Sequence, residues 1–157
     1  MSDRETKSGL SRREVLATAG VAALVGLGAA PGPARAAPAD ARAALDDLVG
    51  GRKPQQGRVM IELPEIAENG NTVPLAVAVE GEMTASNYVK SIHVVAEGNP
   101  LPNVASFHFT ARSGKARVAT RMRLLKTQNV IAVAVMSDGS VYEASRQVKV
   151  TIGGCGG

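Results

Sequence analysis

Asn129-Val130-Ile131-Ala132-Val133-Ala134-Val135-Met136 has seven apolar residues in a row after its asparagine, with no charge among them. The run is too short for an ordinary helix and alternates β-branched with small residues, so it predicts a strand covered on both faces. One cover is an opposing sheet. The other must come from elsewhere, and a partner subunit is one candidate.

The stretch before it has the opposite pattern. In 115–125, Ala116, Val118, Thr120, Met122 and Leu124 alternate with Lys115, Arg117, Arg121 and Arg123, so one face is dry and one wet. Further strands are expected at 58–63, 73–80, 89–97, 104–112 and 141–152, with the fully buried one at 129–136. Asn69-Gly70, Ser113-Gly114 and Asp138-Gly139 are turn dipeptides that suit antiparallel neighbours. Seven short strands at this spacing predict an all-β fold, an immunoglobulin-like antiparallel β-sandwich rather than a closed barrel. It lacks the cysteine pair and core tryptophan of antibody domains. Ahead of the strands, Ala41, Ala44, Leu45 and Leu48 recur at helical spacing after Asp40, predicting a short helix within 37–51 that ends at Gly50-Gly51. Residues 52–57 read as a linker to a β-sandwich domain at 58–152.

The first 36 residues read as a targeting segment. Arg12-Arg13 precedes an apolar stretch from Val15 to Ala30, and Ala34-Arg35-Ala36 offers small residues for cleavage after Ala36. The pattern resembles a twin-arginine signal, with Val15 where Phe is usual and Ala17 where Lys is frequent. The stretch falls short of the roughly 18–20 apolar residues of a membrane span, so export to the periplasm without a retained membrane anchor is expected. The leader holds five basic and three acidic side chains, leaving 13 basic and 11 acidic in the mature chain. That near-balance gives no electrostatic case for nucleic acid.

The chain ends Gly153-Gly154-Cys155-Gly156-Gly157, and Cys155 is its only cysteine. Four glycines flanking one cysteine arise by chance about two times in 100,000. Glycines give a thin segment with wide backbone freedom, and at ~3.3–3.6 Å per residue Cys155 stands at most roughly 10 Å beyond Ile152. A single exported thiol cannot form an internal disulfide, so it is intermolecular or reactive. No Lys, Arg or His lies beside it, so activation must come from other proteins.

The tail, the Val148-Lys149-Val150-Thr151-Ile152 strand before it, Leu63-Pro64-Glu65-Ile66-Ala67-Glu68-Asn69-Gly70, Ala96-Glu97-Gly98-Asn99-Pro100 and Ser137-Asp138-Gly139-Ser140 together resemble the SoxY family of bacterial thiosulfate oxidation. The resemblance implies a sulfur carrier, not an enzyme, with Cys155 as the covalent attachment point and Gly153, Gly154, Gly156 and Gly157 as a swinging arm. It implies a heterodimer with a SoxZ-like subunit and loading with thiosulfate by a SoxXA-like haem protein. A SoxB-like hydrolase would then release sulfate, and a SoxCD-like sulfane dehydrogenase is an optional further partner. No cofactor and no metal are expected on the chain itself. The alternative is an exported binding or scaffold module whose cysteine serves only for intermolecular disulfide linkage.

Other residues carry less. His93 and His108 sit within expected strands without metal-site spacing and read as structural or interface histidines. The basic row Arg112, Lys115, Arg117, Arg121, Arg123 and Lys126 reads as a solvated strand face. Glu65 with Glu68, and Asp46 with Asp47, are the nearest approaches to paired carboxylates, and neither has a nucleophile motif nearby.

Overall fold

The computed structural model describes residues 38–152. It contains a helix, α1 (Pro38–Val49), and nine strands: β1 (Gln55–Gln56), β2 (Val59–Glu62), β3 (Ile66–Asn69), β4 (Val73–Val79), β5 (Val89–Ala96), β6 (Asn103–His108), β7 (Arg117–Met122), β8 (Gln128–Met136) and β9 (Val141–Ile152). Seven of these are the expected strands. β5, β6, β8 and β9 form one sheet in the order β9-β8-β5-β6, and β2-β4-β7 form the other. All pairs among these seven are antiparallel. The expected two-sheet sandwich is therefore the observed architecture.

The two short strands depart from the expected pattern. β1 lies in 52–57, read as a linker, and β3 lies in the turn region around Glu65 and Glu68; both pair with β9 in parallel. Two-residue and four-residue pairings leave little periodicity to detect, because alternation needs several residues to declare itself. The turn dipeptides also divide. Asp138-Gly139 is a hairpin turn between β8 and β9, with Gly139 at φ 87° and Asp138 Oδ1 accepting from the Ser140 N–H at 2.8 Å. Asn69-Gly70 and Ser113-Gly114 instead carry the chain from one sheet to the other. The expected strand at 104–112 ends at His108, and Thr110 caps a 3-10 turn over Ala111–Ser113.

β8 resolves the question its sequence raises. Val130, Ala132, Ala134 and Met136 face the opposite sheet and join Val77, Ile92, Val94 and Leu124 in the main core. Ile131, Val133 and Val135 face the other way, where Ala41, Leu45 and Val49 of α1 cover them. The second cover is thus the chain's own helix rather than a partner subunit. The helix starts at Pro38, ahead of Asp40, which lies in its first turn where its charge suits the helix dipole. Gly50 and Gly51 end it at φ 65° and 69°, conformations open to glycine and strained for other residues. No helix among the described residues is long and apolar enough to cross a membrane.

Candidate functional site: the root of the C-terminal arm

Cys155 and Gly153, Gly154, Gly156 and Gly157 lie outside the described residues, as do Arg12, Arg13 and the cleavage position after Ala36. What the structure describes is the platform from which the tail leaves, and it is built from side chains that periodicity does not mark.

β9 remains paired up to Ile152. On one edge β3 runs alongside it in the register Ile66 to Lys149, Ala67 to Val150 and Asn69 to Ile152. The Lys149 N–H donates to the Glu65 carbonyl at 2.9 Å, the Gly70 N–H to the Ile152 carbonyl at 2.8 Å, and the Leu124 N–H to the Gly70 carbonyl at 2.8 Å. On the other edge the ladder with β8 ends at Gln128. There the Thr127 hydroxyl accepts from the Val150 N–H at 2.9 Å and donates to its carbonyl at 3.4 Å, so a side chain extends the pairing beyond the strand. Thr151 also donates to the Glu68 carbonyl at 3.0 Å. The last residues of β9 are therefore held on both sides, whereas chain ends commonly fray.

The neighbouring loops are tied to one another by a polar network. Gln128 is buried, yet its Oε1 accepts from the Gly98 N–H at 2.6 Å and its Nε2 donates to Asn99 Oδ1 at 3.0 Å. Asn99 also donates to the Arg123 carbonyl at 2.8 Å and accepts from the Leu125 N–H at 3.2 Å. Position 98 is tightly surrounded: a Cβ there would meet Lys126 Cε, the mobile end of its side chain, at 2.9 Å and Gln128 Cβ at 3.0 Å, so the buried Gln128 would have to give by a few tenths of an ångström. A satisfied network of this kind fixes loop geometry, since a buried polar group left unpaired is costly. Arg123 reaches Asn71 Oδ1 at 2.9 Å, and Arg117 pairs with Glu62 at 3.2 Å, so the basic row is partly engaged on the surface.

Elsewhere the chemistry is sparse. An open groove of about 810 Å³ on the three-stranded sheet has Glu62, Arg121 and Arg146 in its lining and no His, Ser or Cys. His93 and His108 do approach, with ring centroids 6.0 Å apart, but both His93 nitrogens are engaged by Ser91 and Ser106 hydroxyls at 2.9 and 2.8 Å. Among the described residues no three metal-ligating side chains cluster.

Burial, and secondarily the neighbouring His108, hold the His93 pKa below its ordinary value of 6.5. The unfolded chain then takes up a proton near pH 6.5 that the folded chain resists, so stability falls as pH drops through 6.5 towards the folded pKa. Thermal unfolding followed by circular dichroism should show Tm a few degrees lower at about pH 5 than at about pH 7.5, and His93→Gln should flatten that difference. A wild-type Tm unchanged across this range would contradict the assignment.

The family model for the sulfur oxidation protein SoxY matches residues 45–155, so its last matched position is Cys155. Among solved structures, the sulfur carrier protein SoxY from Chlorobium limicola f thiosulfatophilum is 35% identical, with a TM-score of 0.62, covering 72% of this chain and 94% of that one. A superoxide reductase (neelaredoxin) from Ignicoccus hospitalis shares the fold alone, at 20% identity and a TM-score of 0.54, over 60% of this chain and 80% of that one. No curated protein matches. Three of the segments that carry the sequence resemblance, 63–70, 96–100 and 148–152, meet at the root of the arm. The chain belongs to the SoxY family of sulfur oxidation proteins.

Proposed function

We propose that the protein is a periplasmic sulfur carrier, exported through its 1–36 twin-arginine signal, which holds thiosulfate-derived sulfur on Cys155 and presents it to other proteins of a Sox system. The observation that carries this reading is the family match ending on Cys155, within a glycine tail that leaves a strand held at its end from both sides.

In the first step the Cys155 thiolate and the sulfane sulfur of thiosulfate form an S–S bond. Two electrons leave to a haem protein and a Cys-S-S-sulfonate remains. In the second step, water attacks the sulfonate sulfur under a hydrolase and the bond to the sulfane sulfur breaks. Sulfate and two protons leave, and a persulfide stays on Cys155. The carrier contributes no acid or base of its own: it holds, extends and orients. Family membership also implies a Sox-system companion, and a SoxZ-like subunit forming a heterodimer is the proposed one.

Intact-mass analysis of protein from thiosulfate-grown cells tests this. Sulfane or thiosulfate additions are expected on the terminal peptide of a chain beginning at Ala37, and Cys155→Ser should lose them together with thiosulfate-dependent respiration. Full respiration in Cys155→Ser would leave only the scaffold role.

A further inference from the structure

The arm is short and its root is fixed, and together these facts restrict where an enzyme can sit. Only Gly153 and Gly154 separate Ile152 from Cys155, so three residue steps keep Cys155 within roughly 10 Å of the strand end. An enzyme that takes Cys155 into its active site must press its entrance against the same end of the sandwich, whatever reaction it performs. That end consists of the 70–72, 97–102 and 123–127 loops.

Among the described residues, the large apolar side chains left on the surface are unevenly exposed. Leu101 is 83% exposed, against 49% for Met60, 56% for Ile66 and 58% for Ile152. A single exposed leucine is ordinary on a protein surface. This one lies between Pro100 and Pro102, whose rings fix φ. The turn that carries it is pinned by Asn99 to the Arg123 carbonyl and the Leu125 N–H, and by the Ala96 N–H donating to the Pro102 carbonyl at 2.8 Å. A side chain carried on a backbone already held in place costs less ordering entropy on binding than one on a loose loop. In the order β9-β8-β5-β6 the β5–β6 turn stands two to three strand spacings from β9, or roughly 10–14 Å. It stands beside the end of β9 without covering it.

We propose that the arm-bearing end is the common docking surface for enzymes acting on Cys155, and that the Pro100-Leu101-Pro102 tip is its apolar anchor, seating in a shallow hydrophobic socket next to the enzyme's entrance. The inference rests on the carrier reading of Cys155. It assigns the tip to enzyme recognition rather than to the heterodimer.

The test uses the full chain co-purified with its SoxZ-like subunit, loaded with thiosulfate and titrated against the sulfate-releasing hydrolase of the same organism. Leu101→Asp should raise KM for the carrier about tenfold, with kcat at saturation, Tm and the rate of iodoacetamide alkylation unchanged. Leu101→Met should restore KM to within about twofold. Met60→Asp, towards the opposite end of the three-stranded sheet, should leave it unchanged. A Leu101→Asp KM within about twofold of wild type would overturn the proposal. So would an equal effect of Met60→Asp, or loss of the co-purifying subunit from the Leu101→Asp complex. Cys155→Ser separates the two levels of inference: sulfate release that survives it sinks the carrier reading and the docking surface together. Abolished release with a silent Leu101→Asp sinks only the docking surface.

Discussion

Replacing Gly153 and Gly154 together by valine is expected to lower partner-dependent loading of Cys155 by roughly 100-fold, with folding and the rate of iodoacetamide alkylation unchanged. The two positions follow Ile152, beyond the last hydrogen bond that holds β9 to Gly70, so surface substitutions there should cost no more than about 0.5 kcal/mol. Valine narrows the backbone and rotamer choices and thickens the segment. A small reagent meets neither constraint, whereas an enzyme channel meets both, and a thiol misplaced by about 1 Å can cost that factor in rate. Loading at the wild-type rate would make the glycines passive filler.

The second large effect is on stability. Leu45→Ala should destabilise the isolated chain by about 2–5 kcal/mol and lower Tm by roughly 10–20 °C. Leu45 is 3% exposed and packs in the cluster of Ile131, Val133, Val135, Val95 and Val141. If a second subunit were the main cover of that face, the isolated chain would already lack it and the substitution would be close to neutral. Thermal denaturation of the chain without its companion decides between these outcomes. A typical domain has only about 5–15 kcal/mol in hand, so a loss of this size should also expose β8 to aggregation.

The doubly buried nature of β8 was legible because seven apolar residues leave a strand no wet face. What covers its second side was not, because the helix pattern at Ala41, Ala44, Leu45 and Leu48 specifies an apolar stripe and not its destination. The alternation in 115–125 was equally plain, and Ala116, Met122 and Leu124 are buried where it placed them. β1 and β3 escaped because pairs this short form through backbone groups that every sequence possesses. The turn at Asn69-Gly70 could be recognised as a turn, but a dipeptide does not record whether the next strand joins the same sheet. The site divides similarly. The cysteine tail announced itself by composition, whereas the anchoring roles of Thr127, Asn99 and Gln128 depend on contacts across 23 to 30 residues of chain. Only the resemblance of 63–70 and 96–100 to the family hinted at them.

The parallel lie of β3 along the end of β9 bears on mechanics. In the proposed carrier role, drawing a loaded thiol out of an enzyme would pull on the end of β9 along its axis. The hydrogen bonds from Lys149 to Ile152 run across that axis, so the load falls on them in shear, all together, and not one after another as in unzipping. A tether attached in this way can withstand repeated tugging without the sandwich unravelling from its last strand.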